Sequence, residues 1–203
     1  KWGDEHDISA VEWDEELARM YQERFPNDKV IVADAHQYLL DHYKEFDFIW
    51  SSPPCPTHSK VRVTQKNQDF YIPKYPEMSL YQQIIFLKEQ FKGKYVVENV
   101  IPYYDPLIEA QKRGRHLYWT NFILPFDIDR EESKGIISVK NNERKKLCDL
   151  HKIDLNFLNT YKGQQSKTKI VRNLVDYEVG RVILNTAMGI ISKQNKQQIS
   201  LLD

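Results

Sequence analysis

Short apolar runs alternate with helically spaced segments from about residue 7 to residue 124, and this alternation limits the possible folds more than any other feature of the chain. Residues 7–13, with Ile8, Ala10 and Val11 apolar, predict a strand that ends in Glu12. Asp14 then begins a helix with Leu17, Met20, Tyr21 and Phe25 at helical spacing, and Pro26 ends it. A second strand over 29–33 ends in Asp34 and leads to a helix carrying Tyr38, Leu39 and Tyr43. A third apolar run, 46–50, opens into Ser51-Ser52-Pro53-Pro54-Cys55. A helix over 79–91, the strand Tyr95-Val96-Val97 ending in Glu98-Asn99-Val100, a helix over 106–112 and a strand over 116–124 complete the series. Alternation at these lengths predicts an α/β fold with a doubly wound, mostly parallel sheet. Ligands of such sheets collect at the carboxyl ends of the strands, so Glu12, Asp34, Cys55 and Glu98 are expected to share one crevice.

The 203 residues suffice for one well-buried α/β domain with a small appendage. Past Pro125 the apolar pattern weakens, and 133–170, rich in Lys, Asn and Gln with few helix or strand signals, reads as a small insertion. A last helix over 177–191 carries Val179, Val182, Ile183, Ala187 and Ile190 on one face and is expected to pack on the sheet. The tail 192–203 is polar, and Lys1-Trp2-Gly3 reads as the end of a preceding helix.

The formal net charge is zero but unevenly spread. The first fifty residues are acidic, whereas 133–172 carries Lys134, Lys140, Arg144, Lys145, Lys146, Lys152, Lys162, Lys167, Lys169 and Arg172 against Glu143, Asp149 and Asp154. Such asymmetry suits a polyanion; a solvated lysine-rich face is the competing reading. Two cysteines, Cys55 and Cys148, offer no disulfide framework, and no Cys-x-x-Cys pair or His cluster offers a zinc site. That usage points to a reducing, intracellular setting. No apolar run approaches the roughly twenty residues of a membrane span, and no signal-peptide pattern opens the chain.

Cys55 reads as a nucleophile. The Pro53-Pro54 pair stiffens the turn and removes two backbone donors, the position follows a strand, and the next residues are polar, an arrangement that displays a thiol for covalent chemistry. A small buried hydrophobe is the alternative. Glu98, at the mouth of an apolar strand, suits proton donation, with an ion pair to arginine as the alternative. Arg113 and Arg115 alternate in Gln111-Lys112-Arg113-Gly114-Arg115 and are expected to point the same way, suited to a phosphate or a base carbonyl. Glu12 suits ribose hydroxyls, Trp13 an adenine face and Asp34 an adenine amino group, each also readable as a solvated strand end.

Pro-Pro-Cys after one strand, Glu-Asn-Val after the next, and then Gln-x-Arg-x-Arg resemble the ordered motifs of the DNA cytosine-5 methyltransferases. The resemblance runs from about Ala10 to Leu124 and resumes near Val171. It implies a Rossmann-like class I methyltransferase fold and transfer of a methyl group from S-adenosyl-L-methionine to carbon 5 of a cytosine flipped out of double-stranded DNA. By this resemblance Cys55 attacks ring carbon 6, Glu98 holds ring nitrogen 3, and Arg115, helped by Arg113, steadies the base carbonyl. Glu12, Trp13, Asp34, Ala35, Pro53, Asn173 and Val175 are the implied cofactor residues, and Asn99 braces the cysteine loop. The implied divisions are a catalytic core over 1–124, a short target-recognition region over 125–170 and a returning C-terminal segment over 171–203. The lysines of the middle region suit phosphate contacts.

Three departures from the family pattern stand out. The Phe-x-Gly-x-Gly cofactor loop is absent, with roughly 25 residues of a βαβ unit expected before Lys1, so the first strand is read as missing and an upstream segment or second chain as its source. Pro56-Thr57-His58-Ser59 stands where Gln-x-Phe-Ser is commoner, with His58 expected on an exposed loop. Arg172 stands where the last motif expects Gly. The same resemblance admits tRNA as substrate or a subunit completed by a partner, and implies a cytoplasmic, bacterial or phage-like setting, with a restriction companion and a solitary enzyme both open.

Overall fold

Each of the first two strands is followed by a helix whose start an aspartate caps. The computed structural model describes residues 2–3, 5–64, 66–67, 71–126, 128 and 143–190. The tail 192–203, residues 129–142, and Lys1 of the opening tripeptide lie outside the described residues.

The described residues form two compact units, Lys1–Leu39 with Asp129–Asn185 and Leu40–Ile128 with Thr186–Asp203. In the first unit, β1 (Ser9–Glu12) pairs in parallel with β2 (Lys29–Val32), Glu12 lying opposite Val32. Between them runs α1 (Glu15–Arg24), capped by Asp14, whose Oδ1 accepts from the Glu16 and Leu17 amides at 3.0 and 3.2 Å. After β2, α2 (Ala35–His42) begins at Asp34, whose Oδ1 accepts from the His36 and Gln37 amides.

The lysine-rich stretch departs from expectation by being helical where described. It forms α3 (Glu143–Leu150), α4 (Leu155–Asn159) and α5 (Lys167–Arg172). None is long enough to show a period, which is why sequence patterning missed them. Their few apolar residues nevertheless converge: Leu147, Cys148, Leu158, Ile170 and Val171 share one core with Met20 of α1 and Tyr161. Arg172, the residue in the family's Gly position, joins α5 to α3 through a two-pronged pair with Glu143 at 2.6 and 2.7 Å. That partner holds the Glu143 carboxyl below its ordinary range.

The final helix, α6 (Tyr177–Ala187), buries Gly180, Ile183, Leu184 and Ala187. The spacing is helical, but the expected face is rotated, because Val182 and Ile190 are exposed.

In the second unit, β3 (Phe48–Ser51), β4 (Lys94–Val100), β5 (Gln111–Arg113) and β6 (His116–Thr120) form one sheet in the order β3-β4-β6-β5. β3 and β4 are parallel, joined through α7 (Val61–Thr64) and α8 (Ser79–Gln90), named in order of introduction. β4 pairs with a strand on each side, and its run Tyr95-Val96-Val97 is fully buried, as an interior strand requires. α8 buries Leu80, Tyr81, Gln83, Ile84 and Leu87 at helical spacing and packs on β4.

The remaining pairings include antiparallel ones. The strands form two sheets, and β6 runs antiparallel to both β4 and β5. The cause is local: Gly114 (φ +52°) and Arg115 make a two-residue hairpin turn, which can join only antiparallel strands. The helix expected over 106–112 is absent too. Its backbone is satisfied by tertiary partners instead, Leu107 donating to the Tyr81 hydroxyl and Ile108 accepting from Trp119 Nε1.

Candidate active site

Both legs of the Cys55 loop are tied to β4 and the chain that follows it. On entry, the parallel register sets Ser51 beside Val97, and Ser51 Oγ donates to Gln83 Oε1. Two residues further along each chain, Asn99 Nδ2 donates 2.9 Å to the carbonyl of buried Pro53. Asn99 is 2% exposed, and its Oδ1 accepts from the Val100 amide, so both ends of the amide are satisfied. On exit, the Cys55 carbonyl accepts from the His58 and Ser59 amides at 3.0 Å, closing a tight turn. Ser59 then bridges to Pro102, and Tyr103 donates to the His58 carbonyl. Cys55 sits partly exposed at the crest of this doubly anchored loop, outside any disulfide.

His58 corrects its expected place on an exposed loop: it is 1% exposed. Its Nδ1 lies 2.5 Å from the Tyr104 hydroxyl, its ring meets Tyr81 edge-on, and Nε2 has no hydrogen-bond partner among the described residues. Sequence patterning could not find this, since only the return of residues 102–104 encloses the ring. Burial pushes the His58 pKa below 6.5, with Glu77 opposing. A histidine whose folded pKa is depressed stabilises the fold fully above its unfolded value, and that stability falls as pH drops from about 6.5 toward the folded pKa. We therefore expect His58→Phe to flatten the acid side of the stability curve. Melting temperature measured from pH 7.5 to pH 5 checks this; a variant as acid-sensitive as the wild type refutes it.

Glu98 lies inside β4 rather than past its end, opposite Tyr118 of β6. Its side chain is 13% exposed, and Oε1 is 3.5 Å from His116 Nε2. The two arginines do not alternate along one strand, because Arg113 ends β5 while Arg115 lies in the turn. Arg113 donates to the Pro125, Leu124 and Lys112 carbonyls at 2.5, 2.6 and 2.9 Å and stacks on Phe126. Gln111 grips the same stretch, donating to Thr120 Oγ1 and the Phe122 carbonyl and accepting from Leu124. The Gln-x-Arg pair thus stitches the exit of β6, and Arg115 is the exposed guanidinium.

In the first unit, Glu12, Trp13, Asp34 and Ala35 meet at the carboxyl edge of β1 and β2. The Ala33 amide donates to the Glu12 carbonyl, and Glu12 Oε1 accepts from Asp14. Trp13 is 71% exposed, an open indole face. Asp14, beyond its cap, accepts from the Tyr161 hydroxyl at 2.7 Å and from Gln165 at 3.0 Å through Oδ2. Those bonds, with the capped amides, draw its pKa down against the burial that raises it. This latch from the helix cap to residues 161–165 escaped the sequence reading, because nothing local pairs positions so far apart. Asn173 caps the end of α5 and Val175 follows it, both exposed. No hydrogen bond or ion pair among the described residues joins them to the Glu12–Asp34 edge.

A mixed α/β fold with a braced cysteine past one strand and a half-sheltered carboxylate on the neighbouring strand is consistent with a methyltransferase domain. Residues 6–103 match the family model of the C-5 cytosine-specific DNA methylases. That stretch is similar to a methyltransferase domain acting on carbon 5 of cytosine. No curated protein matches the chain. Among the described residues, no helix is long and apolar enough to cross a membrane.

Proposed function

We propose that the chain methylates cytosine in double-stranded DNA, taking the methyl group from S-adenosylmethionine and passing through a covalent Cys55 adduct. The observation that carries this reading is the loop itself: a partly exposed thiol held at both ends by the segment that also bears Glu98. The Rossmann-like, doubly wound arrangement and the target-recognition role of 125–170 belong to the same reading. The exposed Arg144, Lys145 and Lys146 on α3 suit a DNA backbone.

The β1–β2 edge fits the donor's nucleoside half: two carboxylates and an open indole meet there, the acceptors and flat surface that ribose hydroxyls and adenine require. Glu12 would hold the ribose, Trp13 the adenine ring and Asp34 its amino group, with Ala35, Asn173 and Val175 as further cofactor residues of the same unit. When bound, S-adenosylmethionine supplies an electrophilic methyl on a sulfonium.

The protein's own residues do the rest. The Cys55 thiolate forms a bond to ring carbon 6, and the displaced electron pair moves through carbon 5 toward nitrogen 3. Glu98 gives its proton to nitrogen 3, which makes carbon 5 electron-rich enough to accept the methyl. Loss of the carbon 5 proton to solvent then returns the carbon–sulfur electron pair to Cys55, and Glu98 recovers the proton from nitrogen 3. Arg115 steadies the ring carbonyl as charge builds on it.

The test is trapping. DNA containing 5-fluorocytosine offers no proton at carbon 5, so the full-length protein with S-adenosylmethionine should accumulate a denaturant-resistant complex. Capture of a fluorinated tRNA alone would transfer the reading to RNA, and capture of neither would refute it.

A further inference from the structure

We propose that His116 selects which oxygen of Glu98 carries the proton delivered to ring nitrogen 3. The inference rests on the reading of Glu98 given above and adds a residue to it. His116 is the first residue of β6, directly after the Gly114–Arg115 turn. The register sets Tyr118 opposite Glu98 and His116 opposite Val100, so His116 and Glu98 are diagonal neighbours on one sheet face, within reach of long side chains. The imidazole Nε2 lies 3.5 Å from Oε1, and the ring is held edge-on to Tyr118 with centroids 6.3 Å apart.

Competition for that carboxyl is removed by the fold. Arg113, cross-strand partner of His116, spends Nε, Nη1 and Nη2 on the carbonyls of Pro125, Lys112 and Leu124. Among the described residues, the ion-pair partner of Glu98 is His116. The pair is also graded in exposure, 13% for the carboxyl and 38% for the imidazole.

The chemical consequence follows from the two-fold nature of a carboxyl group. A protonated carboxyl accepts through one oxygen and donates through the other. Where Nε2 carries the imidazole proton, Oε1 is the oxygen beside it and accepts, so the acidic proton sits on Oε2. Without His116 the proton is shared between both oxygens, and one of the two arrangements presents an acceptor to nitrogen 3. His116 is therefore a positioning residue: it acts through Glu98 and touches no substrate.

Steady-state kinetics of the full-length protein on cytosine-containing DNA test this. His116→Phe keeps a ring against Tyr118 and removes the donor, whereas His116→Gln restores an N–H. We expect the phenylalanine variant to lose about two- to fivefold in kcat with KM for DNA and for S-adenosylmethionine unchanged. The glutamine variant should regain most of that loss. In a Glu98→Gln background, His116→Phe should cost nothing further, since its effect runs through the carboxyl. Wild-type kcat in His116→Phe, a loss confined to KM or melting temperature, or a glutamine variant as slow as the phenylalanine one would overturn the assignment. An inactive wild type would instead overturn the methyltransferase reading and this role with it.

Discussion

Cys55→Ala should reduce methyl transfer to background, a fall of about 10⁴-fold or more, and abolish the trapped complex with 5-fluorocytosine DNA. Both outcomes follow from one fact of chemistry: without a carbon–sulfur bond, carbon 5 never becomes nucleophilic. The fold should be untouched, because alanine retains the backbone carbonyl through which residue 55 closes the loop. Melting within a few degrees of the wild type is therefore part of the expected result. A denaturant-resistant complex that persists in Cys55→Ala would remove the thiol from the mechanism.

Glu98→Gln should come next in size, with kcat lowered about 10²- to 10⁴-fold and KM for DNA little changed. Glutamine keeps the shape and an N–H toward ring nitrogen 3, but it has no proton to give and take back. Addition of Cys55 to carbon 6 should slow in parallel, because the electron pair it displaces has no partner at nitrogen 3. Single-turnover methyl transfer and the rate of trapping, measured together, check this. A variant that traps at wild-type speed would assign Glu98 to binding rather than to proton transfer.

The sequence made legible those parts of the molecule whose causes are local. β1 through β4 were readable because each carries a short apolar run and, after β1 and β2, an aspartate that caps the next helix. The proline-braced cysteine was readable because proline acts on its own neighbours. What escaped was settled by partners distant in sequence. Residues 106–110 look helical until Tyr81 and Trp119 take up their backbone groups. α3, α4 and α5 have too few apolar residues to show a period, and their core is completed by Met20, more than a hundred positions away. Arg113 and Arg115 share a strand face only if the strand continues, and Gly114 in the left-handed region turns the chain between them. His58 and His116 had no local signal, because one is made a buried residue by the segment 102–104 and the other a neighbour of Glu98 by strand register.

The two thiols are as unequal as two thiols of one chain can be. Cys148 is enclosed in the α1–α3 core, where burial pushes its pKa up, while Cys55 crowns an anchored loop. The native chain therefore carries its own single address for a maleimide dye or spin label, placed at the proposed reaction centre without engineering. Its second address opens only when the helical core comes apart, so the count of reactive thiols doubles as a gauge of unfolding.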